Sequence, residues 1–469
     1  MSKEHYNLLT LKNGELTGPL ASVVKAEDYP RDFQTITLFA LSRFHPRGIN
    51  LLGIDVGLDE NGQFLAEPTG LLAKGMGQKM ADNITTSIRK KGEPLLRRDA
   101  QLIYTLFQPP IPSEPMTKVL ASRLQTERTG RPFPATHTMQ ITTACQCDCV
   151  HCSAVRFRNP ENKQLTTDEA KSFIRQSLEL GVVNMIFTGG EPLLRSDLFE
   201  LISAVDKKEA IAMIFTNGLL LTKENVQKLV DAGLFSLMVS LDSPEPQEHN
   251  TMRCTEKCWE KAVEGIRRCL DAGLLCGIST YATPERVRNG KVVEMIELGR
   301  RLGVHEITIF DVVPTGRLLR HEEGELLTDA DKQEICRMED DYNARKGYPH
   351  IVTQAHVNGP SGGGCYAAWF QLYSTAYGDI TPCDFTPLTF GNIRNEPLKA
   401  IWERMTSHPS YCTRLDHCRM QDHAFRKRWI DDIPTKGPFP FPIERFDAAD
   451  FVREVEEEVE QRTSIGLRA

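Results

Sequence analysis

Four thiols fall within the eight residues Cys145-Gln146-Cys147-Asp148-Cys149-Val150-His151-Cys152, immediately after an apolar run that suits a strand. One loop can therefore bring several sulfurs to one site, and thiolates select soft or borderline metals. Iron–sulfur and zinc are the two serious options. Zinc is served by the CxxC pair of Cys149 and Cys152. A second group, Cys365, Cys383, Cys412 and Cys418, lies in the last third of the chain, with His417 and His423 as rival ligands for zinc there. The other five of the 13 cysteines, Cys254, Cys258, Cys269, Cys276 and Cys336, sit in or beside helix-like and strand-like runs and read as small buried residues. Cys254 is the one to watch, because it neighbours Arg253.

Between the cysteine groups, polar residues close a series of apolar runs. Thr188-Gly189-Gly190-Glu191-Pro192 offers glycines that let another backbone approach closely and a carboxylate for a cationic partner, although an ordinary strand-to-helix turn has the same composition. Thr216-Asn217-Gly218 and Ser240-Leu241-Asp242 end two further runs, and the carboxyl ends of parallel strands are where ligands bind. The elements that position them are six candidate strands: Met139 to Thr143, Val183 to Thr188, Ile211 to Thr216, Ser236 to Asp242, Leu275 to Thr280 and Glu306 to Asp311. Helical grammar fills the gaps. Thr166 and Glu169 make a capping box, Ala170, Phe173, Ile174 and Leu178 share a face, and Gly181 closes the segment; the pattern recurs from Thr222 to Gly233. Consecutive right-handed β-α units around a parallel sheet follow, as an open doubly wound sheet or a partial barrel.

Residues before 135 differ, with turns at Asn13-Gly14 and Asn61-Gly62 and a proline-rich link from Pro109 to Pro115. After 320 the alternation fades into loops rich in Gly, Pro and Cys, and an acidic, helical tail follows Pro438 to Pro442. The formal charge of -7 is spread without long runs, which argues against nucleic acid as a main partner. No apolar stretch approaches the ~20 residues needed to cross a bilayer, and the first residues lack the regions of a secretory signal. A cytoplasmic protein is expected, whose cysteines are ligands or buried thiols rather than disulfides.

Taken as Cys145, Cys149 and Cys152, the first group has the CxxxCxxC spacing and the after-first-strand position of the radical S-adenosylmethionine family, which it resembles. The resemblance runs from Thr138 to Arg320 and selects the partial (β/α)6 barrel. It implies a 4Fe-4S cluster with one open iron, where the amino and carboxylate groups of S-adenosylmethionine bind. By the same resemblance Gly189, Gly190 and Glu191 meet the methionine ammonium, Asn217 and Ser240 the ribose and methionine portions, and Arg253 the methionine carboxylate. His151 stands where the family commonly has an aromatic residue against adenine, and the segment Phe310 to Pro314 would touch adenine as well. Cys147 departs from the pattern, as a bystander or an alternative ligand.

Cys365, then Gly378 and Cys383, then Cys412 and Cys418, resemble the opening of the SPASM or twitch extension of that family, as do Phe390-Gly391-Asn392-Ile393 and Leu398-Lys399-Ala400-Ile401-Trp402. The later cysteine run of full SPASM domains is absent, so a twitch-like module with one auxiliary 4Fe-4S cluster on those four thiols is expected. The implied organisation is an N-terminal α+β module over 1–130, a core over 131–320, the auxiliary module over 321–430 and a tail over 431–469. The implied activity is reductive cleavage of S-adenosylmethionine and hydrogen abstraction from a substrate carbon. That carbon belongs to a ribosomally made peptide or, alternatively, to a small molecule such as a sugar, amino acid, lipid or tetrapyrrole intermediate. Flavodoxin or ferredoxin would donate the electron. A non-enzymatic iron–sulfur or zinc scaffold is the remaining reading.

Overall fold

A computed structural model describes residues 4–12, 15–18, 49–58, 64–71, 74, 78–89, 94–98, 101–158, 162–319, 326–360, 362–434 and 439–447. The chain divides into two compact units, Met1–Phe133 and Pro134–Ala469. In the first, β1 (Glu4–Lys12), β2 (Glu15–Thr17), β3 (Ile49–Leu58) and β4 (Phe64–Thr69) form an antiparallel sheet in the order β2-β1-β3-β4. Lys12 pairs with Glu15 and Leu58 with Phe64, on either side of the two expected Asn-Gly turns, which themselves lie outside the described residues. The helix Gln78–Arg89 covers the free edge of β4, where the Thr85 hydroxyl accepts the Ala66 amide at 3.0 Å. A short hairpin, β5 (Leu96–Arg98) and β6 (Gln101–Ile103), leads to the helix Glu114–Thr129, capped by Ser113 and closed by Gly130 at φ 66°. The expected acidic tail also lies outside the described residues.

The second unit is built on β7 (Thr136–Thr142), β8 (Asn184–Gly189), β9 (Ile211–Thr216), β10 (Ser236–Ser240), β11 (Leu275–Ala282) and β12 (Glu306–Asp311), parallel and adjacent in chain order. These match the six expected strands to within a few residues. Helices cover the outer face: in Thr167–Glu179, Ala170, Phe173, Ile174 and Leu178 are buried, and the expected capping box between Thr166 and Glu169 is formed. Each such large apolar side chain contributes roughly 1.5–3 kcal/mol by leaving water.

Three strands escaped the sequence reading. β13 (His350–Thr353) adds in parallel to β12, β14 (Gln371–Ser374) adds in parallel to β7, and β15 (Ile380–Thr381) pairs antiparallel with β14. Their lengths of four, four and two residues give alternation too little room to register. The sheet has β13 and β15 as its edges, so the barrel is partial, and the segment after residue 320 is knitted into it. His137 on β7 clamps this seam: its ring nitrogens meet the hydroxyls of Ser177 and Ser374, each at 2.8 Å. Burial pulls its pKa down to about 3, so the clamp is a neutral imidazole. Arg394 adds a second tie through a two-pronged pair with Glu169 at 2.7 and 2.8 Å.

Candidate active site

The cysteine loop leaves the carboxyl end of β7 and is gripped on three sides. On the first, the amides of Gly190 and Glu191 donate to the carbonyls of Thr142 and Ala144, each at 2.7 Å. This approach is open to glycine alone: a Cβ on Gly190 would stand 2.2 Å from the Ala144 oxygen, and one on Gly189 2.5 Å from the Thr142 oxygen. On the second side, the last carbonyls of the helix Pro246–Arg253 accept the loop amides, Asp148 to Arg253 at 3.2 Å and Val150 to Met252 at 3.0 Å. On the third, the Arg317 amide donates to the Cys152 carbonyl at 3.1 Å. Gly316, at φ 52°, lies so close that a Cβ would be 2.2 Å from the same oxygen. Gly316 and Arg317 were not singled out from sequence, and a lone glycine after a strand is too common a signal to have found them.

Among the thiols, Cys147 and Cys149 are buried and Cys145 and Cys152 are half-buried. Cys258, from the helix Cys258–Asp271, is buried as expected, yet it packs against Cys147 and Cys149. Hydrogen bonds shared with Cys147 hold the Cys145 thiol down to about 6 and the Cys258 thiol down to about 5, and they also lower Cys149. The same bonds drive Cys147 far up. Cys147 is thus the thiol that keeps its proton, which suits a donor beside the ligands better than a ligand. Cys254 is exposed and occupies the left-handed C-cap of the helix before it, at φ 50°.

Around this loop the other expected residues assemble. Asn217 donates from Nδ2 to Gln146 Oε1 at 3.2 Å and to Cys147 Sγ at 3.6 Å. Glu191 is fully buried, and its carboxylate accepts from the Thr216 hydroxyl and the Asn217 amide at 2.8 Å and from the Leu193 amide at 3.1 Å. It therefore binds the end of β8 to the end of β9. The hydroxyl of Ser240 receives that of Ser279 across β10 and β11 at 3.3 Å. Arg253 donates from Nε to Asp242 Oδ2 at 2.6 Å and from Nη1 to Cys149 Sγ at 3.7 Å. Burial alone would raise Asp242, but the Arg253 guanidinium, helped by His151, holds it well below the carboxylate range. His151 lies 3.6 Å from Asp242 and 4.4 Å, ring to ring, from Tyr281; burial lowers it to about 4, leaving it neutral.

Burial raises Glu191 to about 7, partly offset by the three donors. A group raised in the folded state favours folding below its unfolded pKa and loses that contribution as pH climbs through its folded one. The cluster-free protein is expected to lose on the order of 3 kcal/mol from this group between pH 4.5 and about 7. Urea unfolding of Glu191→Gln across that window should show the slope flattened; an unchanged slope would refute the assignment.

The second thiol set is only partly convergent. Cys365, Cys383 and Cys418 are buried. Burial pushes Cys383 up to about 12, with Asp384 and Cys365 adding to it; burial also drives Cys418 well up, with Cys365 and Cys383 adding. Cys412 stands apart, exposed, its thiol turned to the Pro409 carbonyl at 3.8 Å. Its amide and that of Tyr411 share the His408 carbonyl in one turn, and Tyr411 takes the inward slot with no exposed surface. The expected convergence of four thiols is thus a convergence of three. His417 is held between Asp416 and Asp422 at 2.7 and 2.8 Å, away from any ligand role.

Sequence reasoning also missed Asp384 and Tyr373. Burial raises the Asp384 carboxyl to about 6, and Tyr373 feels the charge of both Asp384 and Cys152, so these two residues stand between the cysteine sets. Next in the chain, Phe385 accepts the Thr315 hydroxyl at its carbonyl at 2.7 Å and sets its ring 6.5 Å from Phe310, which lies 6.2 Å from Phe215.

A parallel partial barrel carrying a thiolate loop at its strand ends, with a second thiol site folded against its mouth, defines an iron–sulfur enzyme of two metal centres. The chain belongs to the radical SAM superfamily: residues 139–286 match that family, and residues 365–424 match SPASM, an iron-sulfur cluster-binding domain. Its cofactors are accordingly 4Fe-4S clusters and S-adenosylmethionine. The chain is 29% identical to an AdoMet-dependent heme synthase of Methanosarcina barkeri, over 56% of this chain and 80% of that one. It is 26% identical to a PqqA peptide cyclase of Rhizobium meliloti, over 63% and 81%. The fold is that of Streptococcus suis SuiB, whose structure was solved with the precursor peptide SuiA: TM-score 0.50 at 15% identity, over 75% of this chain and 85% of that one. Among the described residues no helix is long and apolar enough to cross a membrane.

Proposed function

We propose that this enzyme oxidatively modifies or cross-links a ribosomally made peptide. Bound by Cys145, Cys149 and Cys152, the first cluster with S-adenosylmethionine supplies the 5′-deoxyadenosyl radical that takes hydrogen from carbon. Cys365, Cys383 and Cys418 would hold the auxiliary cluster, which when bound supplies a one-electron sink. The residues of this chain bind and exclude: Gly190 and Arg253 fix the cysteine loop, and Phe215, Phe310 and Phe385 present an apolar wall against water. The observation that carries the reading is the loop Cys383-Asp384-Phe385, which couples the second thiol site to the barrel mouth through Tyr373 and Phe310. An oxidative outcome needs such an adjacent electron acceptor.

The peptide part is supported by the cyclase relative and by the first unit, whose sheet and helix enclose a cleft of about 760 Å³ lined by Asp55, Glu67, Asp82 and Lys74. A tetrapyrrole substrate is the second reading, favoured by the higher identity to the heme synthase. With anaerobic protein, dithionite and S-adenosylmethionine, 5′-deoxyadenosine is expected without any substrate. A short peptide encoded beside this gene should then raise its formation at least tenfold, and deleting residues 1–130 should abolish that stimulation alone. Stimulation by an iron porphyrin tetracarboxylate and by no peptide would transfer the assignment to the second reading.

A further inference from the structure

Arg286, in the short helix Pro284–Arg288 that follows β11, is only 6% exposed. Its Nη2 donates to the Asp242 carbonyl, and its guanidinium carbon lies 5.1 Å from the centre of the Tyr281 ring. Nε and Nη1 donate to nothing. No countercharge comes from its neighbours: Tyr281 stays a phenol, its hydroxyl pushed up to about 12, and His151 is neutral. The nearby Asp242 carboxylate is already engaged by Arg253 at 2.6 Å. A buried cation with two unmet donors is costly unless an anion completes it. It stands at the carboxyl ends of β10 and β11, beside the cysteine loop, where a bound cofactor is expected.

Arg253, to which the family resemblance gives the methionine carboxylate, is spent otherwise. Its Nε serves Asp242, its Nη1 faces Cys149 Sγ at 3.7 Å, and its carbonyl holds the Asp148 amide at 3.2 Å. We infer that Arg286 receives the carboxylate of the methionine moiety of S-adenosylmethionine, and that Arg253 is a positioning residue for the cysteine loop. The assignment needs only membership of the superfamily and is independent of the substrate.

Equilibrium binding to the anaerobically reconstituted enzyme tests it, with S-adenosylmethionine and its decarboxylated counterpart as probes. The wild type should prefer the carboxylate form by about 30-fold or more, the scale of a buried charged hydrogen bond. In Arg286→Gln the preference should fall to within about threefold at full iron content. Arg253→Gln should lower iron content while the loaded fraction keeps the wild-type preference. Undiminished preference in Arg286→Gln, or its loss in fully loaded Arg253→Gln, overturns the inference. Because losing a buried arginine can unfold a protein, the wild type bound to S-adenosylmethionine gives a second readout by crystallography. A carboxylate oxygen within ~3.2 Å of Arg286 Nε or Nη1 is expected; a carboxylate on Arg253 with Arg286 bare overturns it. Neither readout depends on which substrate is turned over, so failure of the peptide reading would leave them standing.

Discussion

Replacing Gly190 by alanine is expected to empty the first iron–sulfur site and end 5′-deoxyadenosine formation while the auxiliary cluster survives. The new methyl group would be 2.2 Å from the Ala144 oxygen, 2.6 Å from its carbonyl carbon and 2.8 Å from the Thr143 oxygen, all backbone atoms that cannot rotate away. Relief requires β8 and the cysteine loop to part, and the hydrogen bonds from Gly190 to Thr142 and from Glu191 to Ala144, both 2.7 Å, are the contacts that part first. Overpacking of this kind costs about 1–3 kcal/mol, and two buried bonds left unmade add about 1–3 kcal/mol each. Such a penalty exceeds what a surface loop can absorb. Iron should fall from roughly eight to roughly four per chain, the content of one cubane. Gly273→Ala is the control: Gly273 has φ 75° but nothing within 4 Å of where its Cβ would stand, so only the ~1 kcal/mol of left-handed backbone is at stake. Full iron in Gly190→Ala would show that the loop is held by its thiolates alone.

This contrast also explains what the amino-acid order revealed. The cysteine loop, the glycine pair and the polar strand ends were legible because each places an unusual residue type at a fixed offset from a long apolar run, and those runs became β7 to β12. The roles within the site were harder to read. Nothing local says that the Glu191 carboxylate spends itself on Thr216, Asn217 and Leu193, or that Arg253 turns to Asp242, since those partners lie as far as 26 residues away. Cys258 shows the same limit: helical periodicity places it on a buried face, but which buried neighbour it meets is a tertiary fact. Beyond residue 320 the elements shorten to two to four residues, and their register is set by docking on β7 and β12 rather than by their own pattern.

In the auxiliary site the two cysteines Cys383 and Cys412 should behave oppositely, although spacing alone treats them alike. Cys383→Ala is expected to abolish the auxiliary cluster and substrate oxidation while 5′-deoxyadenosine still forms, because the first site keeps its three thiols. Cys383 is 6% exposed, its Sγ lies 3.2 Å from the Thr386 hydroxyl, and its burial beside Cys365 makes an unligated thiolate there unfavourable. Cys412 has neither burial nor partners among those thiols, and moving it inward would have to displace Tyr411, whose ring packs 5.8 Å from Phe390 and 5.7 Å from Phe425. Evicting a fully buried aromatic residue costs about 3–5 kcal/mol, comparable to what a fourth thiolate would have to return. Cys412→Ala is therefore expected to retain roughly eight irons and near wild-type turnover, with the fourth position of the auxiliary cluster open to a substrate group or solvent. Iron and sulfide content together with the electron paramagnetic resonance spectrum of the reduced protein separate the cases: loss of the second signal in Cys412→Ala as well as in Cys383→Ala would mean that the turn at Tyr411 refolds when the cluster binds.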